Sequence, residues 1–195
     1  MKKLMMIAVM AIFAMTASAQ NTNREVGAFT LQPKVGLTIG SFSGEYITVG
    51  GKVENKKRVG FTAGLEGEIY ATNWLGIALG LNYAQQGWKF GDVKCKYDYL
   101  NVPLVADFYV ARGLALKTGV QLGFLMNAKW DDLNVKDDCN KTNFSIPIGI
   151  SYEFSNVVLD LRYNVALSKV NKNATDNYKY RSDLVQITIG YKFEL

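Results

Sequence analysis

Histidine is missing from all 195 residues. That excludes a Ser/His/Asp or Cys/His nucleophile pair, an imidazole general base and a His-ligated zinc or haem, and with them most hydrolase and metalloenzyme classes. Cysteine is scarce, and the two present, Cys95 and Cys139, are too few for a disulfide-framework miniprotein. Basic clusters are scarce as well: no run is longer than Lys56-Lys57-Arg58, which argues against a nucleic-acid partner. Charge is absent from residues 69–88, a stretch long enough to suggest a transmembrane helix. Its Asn73, Asn82, Gln85, Gln86 and glycines, however, fall into a period of two, so two strands joined by a turn at Thr72-Asn73 fit it better. What is present is 49% apolar residues with well-spread charge, which excludes a disordered chain and amounts to one domain.

The first residues form a three-part export signal. Lys2 and Lys3 precede an apolar run from Leu4 to Met15, and Thr16-Ala17-Ser18-Ala19 supplies small residues for a peptidase. Cleavage is expected after Ala19, leaving residues 20–195 as the mature domain. Neither cysteine lies near the cleavage site, so the lipoprotein pattern is absent. Lys2 and Lys3 carry two of the net five positive charges, so much of the basic bias leaves with the signal.

Beyond the signal the dominant pattern is strict alternation. In the last segment Val185, Ile187, Ile189, Tyr191, Phe193 and Leu195 are apolar, while Gln186, Thr188, Gly190, Lys192 and Glu194 between them are not. An extended strand places all of the first set on one face, whereas a helix would scatter them around its circumference. The same template fits around Val35–Ile39, Val59–Ile69, Leu75–Tyr83, Leu100–Val110, Leu116–Met126, Phe144–Phe154 and Val157–Leu167, which makes eight strands.

The set opposite the apolar one combines small residues with charges of both signs. Its cations are Lys34, Arg58, Lys117, Arg162 and Lys192, and its anions Glu66, Glu68, Asp107, Glu153, Asp160 and Glu194. Small residues and near-balanced charge suit the interior of an eight-stranded barrel, which side chains just fill. Such charges are expected to pair as a plug rather than to line an open channel. Aromatics suggest two interfacial girdles, one from Tyr70, Trp74, Phe108, Tyr152, Phe154, Tyr191 and Phe193, the other from Tyr83, Tyr97, Phe124, Phe144 and Tyr163. Links alternate long (43–57, 85–97, 128–142, 169–181) and short (72–73, 111–114, 155–156), predicting four external loops and three tight turns, with both termini on the turn side. The fold expected is all-β: a closed eight-stranded antiparallel up-and-down transmembrane β-barrel in the outer membrane.

Tyr99-Leu100-Asn101-Val102-Pro103-Leu104, Asp160-Leu161-Arg162-Tyr163-Asn164 and the terminal run from Val185 to Phe193 resemble the small outer-membrane β-barrel domains of Bacteroidota. In architecture these are similar to eight-stranded barrels of the opacity and OmpX-like type. The resemblance covers Val35 to Leu195 and implies insertion by the barrel assembly machinery, with Val185, Ile187, Ile189, Tyr191 and Phe193 as the recognition signal. Some relatives, the PorT-like proteins, are accessory factors of protein secretion. Enzymatic outer-membrane barrels of similar architecture rely on a catalytic histidine, which is lacking here.

Cys95 is expected at the external end of the fourth strand and Cys139 in the loop after the fifth, its neighbour in the barrel, and export permits a disulfide between them. The acidic stretch from Asp131 to Asp138 lacks the glycine and closing glutamate of a calcium loop and reads as a solvated loop. Gly50-Gly51-Lys52 lacks the rest of a phosphate loop, and the sequons at Asn140 and Asn173 carry no weight. No cofactor or metal is expected. The function expected is a monomeric, non-catalytic scaffold that meets outer-membrane lipid along its wall and an envelope or surface protein through its loops. The alternatives are a narrow transport pore, a secretion accessory factor, or a soluble periplasmic ligand-binding barrel.

Overall fold

The computed structural model describes residues 24–43, 55–90, 93–130, 133–136, 139–168 and 181–195. The expected signal peptide therefore lies outside the described residues, as do Gly50–Lys52, Asn173 and the four carboxylates of the acidic stretch. Among the described residues no helix is long and apolar enough to cross a membrane, so strands would have to do so.

Among the described residues ten strands are formed: β1 (Phe29–Ser43), β2 (Asn55–Thr72), β3 (Leu75–Phe90), β4 (Val93–Ala111), β5 (Leu114–Trp130), β6 (Leu133–Asn134), β7 (Thr142–Phe154), β8 (Val157–Ala166), β9 (Arg181–Tyr191) and β10 (Phe193–Glu194). Eight of them are staves. Each pairs antiparallel with the next, and β1 pairs with β9, as in Leu37 with Ile187, so the sheet closes on itself. Closure leaves no row of unpaired backbone groups, which is the condition for a sheet in hydrocarbon. The short β6 folds back on β5, and β10 continues β9 along β1.

Alternation decides which side faces out, and the result is the reverse of a soluble core. Ile187, Ile189 and Leu161 are 44%, 52% and 44% exposed on the outside, while Arg162 and Lys192 are 3% and 4% exposed within. Small residues make room for the inner set. The space a side chain on Gly76 would need is taken by the Glu68 carboxylate, and that beside Gly149 by the Arg162 stem.

Four details differ from the pattern in the sequence. Residues 85–97 are not a loop: β3 and β4 stay paired from Gln85 with Asp98 up to Phe90 with Val93. The hydrophobic period fades there while the hydrogen-bond ladder continues. At its start, β1 runs from Phe29, six residues before Val35, because Gln32 and Pro33 hide an alternation that the backbone keeps. The last strand is interrupted at Lys192, whose N–H donates to the Asn156 carbonyl at 2.7 Å and whose own carbonyl accepts from Asn156 Nδ2 at 2.9 Å. In the girdles, Tyr70, Tyr97 and Tyr152 are buried rather than exposed. Tyr70 follows Glu66 and Glu68 on the inner face of β2, and Tyr97 precedes Tyr99 on that of β4. Trp74 stacks on Phe108, and Tyr191 packs against Phe193, with all four on the rim where the tight turns lie.

Candidate functional site: the ionic plug of the bore

Two residues apart on one strand means one face, and this places Glu66 beside Glu68 on β2 and Asp160 beside Arg162 on β8, all inward. A central tier gathers charges from five staves. Arg162 holds Asp160 through Nε at 3.0 Å to both oxygens and Nη2 at 2.7 Å, and Nη2 also donates to Glu66 Oε1 at 2.7 Å. The other Glu66 oxygen accepts from Lys34 on β1. Lys117 on β5 meets Asp107 at 2.6 Å, and Glu66 and Asp160 at 3.4 Å each. Lys34, Lys117 and Arg162 thus balance Glu66, Asp107 and Asp160.

A second tier lies toward the tight turns. Lys192 donates to Glu68 at 2.9 Å, Glu153 at 3.1 Å, and the hydroxyls of Tyr109 and Tyr70 at 3.2 and 3.3 Å. Tyr109 in turn donates to Glu68 at 2.6 Å. Arg24, ahead of β1, lays its guanidinium 3.6 Å from the centre of the Tyr109 ring and 3.5 Å from Glu153. A recess of about 380 Å³ enters from the turn-side mouth and is lined by Tyr70 and Glu153.

Above the central tier the bore turns neutral. Gln121 donates to Ser145 at 3.2 Å and Asn164 to Gln186 at 2.9 Å, with Asn82 and Asn101 buried among them. An apolar cluster of Tyr97, Tyr99, Leu125, Ala128, Cys95 and Cys139 lies at the external end. Trp130 donates to the Tyr97 hydroxyl at 2.6 Å there.

Nine of the eleven charges expected in the bore meet in these tiers. Two do not. Arg58 sits half-buried at the external end, where it donates to the Gln86 carbonyl at 2.8 Å. Glu194 is exposed on β10, paired with Thr30 at the end of β1, where it lines the mouth of the barrel rather than its bore. Sequence reasoning missed Arg24, which lies outside any alternating segment. It also gave no role to the Tyr70 and Tyr109 hydroxyls, although the inward parity of Tyr109 was readable. Val185, Ile187, Ile189, Tyr191 and Phe193 share the outer face, as expected of a terminal amphipathic strand.

Buried ions of this kind are costly unless each is paired and hydrogen-bonded; every charge of the two tiers faces an opposite charge, while Asp107 Oδ1 and Arg24 Nε and Nη2 lack a hydrogen bond. An open pore would need the reverse, a wet lumen with charges on its walls.

Residues 18–172 match the family described as the outer membrane protein beta-barrel domain. The chain belongs to this family. Its outward apolar band therefore faces the hydrocarbon of the outer membrane, and a soluble periplasmic barrel is excluded. No curated protein sequence matches it. Among solved structures, the outer-membrane barrel is similar to Ail, the attachment invasion locus protein of Yersinia pestis, at a TM-score of 0.53 and 16% identity, covering 87% of this chain and 100% of that one. It is also similar to Neisserial surface protein A, at a TM-score of 0.51 and 19% identity, covering 86% of this chain and 99% of that one. At such identities these likenesses concern the fold.

Proposed function

We propose that this outer-membrane barrel is a monomeric, non-catalytic surface scaffold of the Bacteroidota small-barrel type. Its wall meets lipid, its terminal strand is read by the barrel assembly machinery, and its external segments meet an envelope or surface partner. The observation that carries this reading is the two-tier ionic plug, which suits a strut better than a conduit. The attachment role in Ail's name is that protein's own; the support here is the filled bore and the β3–β4 hairpin raised above the apolar band. Planar-bilayer recording on the refolded chain tests it. No stepwise conductance is expected, and discrete openings of the wild-type protein would favour the transport-pore alternative.

A Cys95–Cys139 disulfide in the exported chain belongs to the same proposal. Both residues are buried in one apolar cluster, where a bond would tie β4 to the segment leading into β7. An exporting compartment allows it to form. Thiol titration of the urea-unfolded, unreduced protein is expected to find no reactive thiol, and two per chain would contradict the bond.

A further inference from the structure

The tier toward the tight turns contains one cation that no strand supplies. Lys192 meets both Glu68 and Glu153, so the strands bring two carboxylates and a single ammonium to this end of the bore. A buried anion in excess calls for a further cation. Arg24 supplies it from the segment ahead of β1, with its side chain only 8% exposed. That segment is a short strap. It turns where the Ala28 N–H donates to the Glu25 carbonyl at 3.1 Å, with Gly27 at a φ of 88°, which glycine adopts without strain. Backbone hydrogen bonds then fix it to the end of β2, from the Gly27 N–H to the Tyr70 carbonyl at 2.8 Å and from the Tyr70 N–H to the Ala28 carbonyl at 3.1 Å.

The guanidinium is seated but not saturated. It lies 3.6 Å from the centre of the Tyr109 ring, and its Nη2 is 3.5 Å from Glu153. Nε and Nη2 form the edge through which Arg162 grips Asp160, yet on Arg24 neither has a hydrogen-bond acceptor among the described residues. A buried donor without an acceptor costs stability, so the strap places its arginine in a site that it satisfies incompletely. The recess of about 380 Å³, lined by Arg24, Tyr70, Glu153 and the exposed Glu194, leads from the mouth to the same residues.

We propose that the Tyr109 ring face with Glu153 and Glu68 is a guanidinium-binding cage, filled in cis by Arg24, which takes an arginine side chain of a second protein when the strap lifts. A planar cation is specified over an ammonium. Lys192 already meets both carboxylates and the Tyr109 hydroxyl, and the contact left to the second cation is the face of the ring. The cage rests on the geometry of the bore and is independent of the scaffold role.

The test is chemical rescue of R24A with ethylguanidinium, which restores the atoms that the substitution removes. Ethylammonium, of equal charge but without the planar face, is the control. Titration calorimetry on the refolded exported chain in zwitterionic micelles reads the binding. Ethylguanidinium is expected to bind R24A saturably, about tenfold more tightly than ethylammonium does. Wild type should bind it about tenfold more weakly than R24A, because Arg24 must first be displaced. Adding E153Q to R24A should weaken the site again. Heat-modifiable gel mobility verifies that each variant is folded. Should R24A refold poorly, ethylguanidinium in the refolding mixture is expected to restore the folded band where ethylammonium does not. Absence of saturable binding to folded R24A, equal binding to wild type, or equal affinity for the two cations would overturn the proposal. So would undiminished binding in folded R24A/E153Q, or a poorly folding R24A that the probe leaves unrestored.

Discussion

Replacing Arg162 by Met is expected to destabilise the folded barrel by about 3–5 kcal/mol, the usual consequence of removing one partner from a buried ionic cluster. The methionine is apolar and of similar length, so the loss is electrostatic rather than a cavity effect. Arg162 joins β8 directly to β2 across the bore, holding Asp160 through two nitrogens and Glu66 through one. Without it Glu66, Asp107 and Asp160 share only Lys34 and Lys117. One carboxylate must then stay uncompensated in a dry interior or take up a proton. Arg162→Lys keeps the charge but loses the planar fork, so a smaller loss is expected. Adding Glu66→Gln to Arg162→Met should recover part of the stability, because the excess anion goes with it. Urea unfolding in micelles, followed by tryptophan fluorescence, measures all three. A loss below about 1 kcal/mol for Arg162→Met, the level of solvent-exposed pairs, would show that water fills the bore.

The barrel was legible because a membrane β-strand states both of its environments in alternate residues. On β8 the run Val157, Leu159, Leu161 and Tyr163 faces out, while Val158, Asp160, Arg162 and Asn164 face in, and no residue breaks the period. The charges were legible as a set for the same reason: inward parity on a closed sheet leaves them nowhere to go but toward each other. Their partners were not legible. Which carboxylate meets Arg162 depends on the stagger between β2 and β8, separated in sequence by four other staves, and no local pattern encodes it. Arg24 was invisible because it reaches the bore from outside any strand. Residues 85–97 were misjudged because there the outward face carries polar residues such as Lys96 while Cys95 and Tyr97 pack inward, so the apolar-outward alternation ceases while backbone pairing continues. The aromatic girdles were overdrawn because tyrosine serves two roles. Tyr191 stays at the rim, whereas Tyr70 turns its hydroxyl to Lys192 inside.

Lipid against the outer wall is the claim on which the rest depends, and an arginine placed at two depths tests it most directly. Ile187 lies in the middle of the apolar band, between Leu37 on β1 and Leu161 on β8. Trp74 marks the rim where the tight turns lie and stacks there on Phe108. In phospholipid vesicles, Ile187→Arg is expected to cost about 2–4 kcal/mol, and Trp74→Arg about 0–1 kcal/mol, each measured against alanine at the same position. A folded Ile187→Arg protein no less stable than its alanine counterpart would mean that this face meets water, and the membrane assignment of the barrel would be wrong.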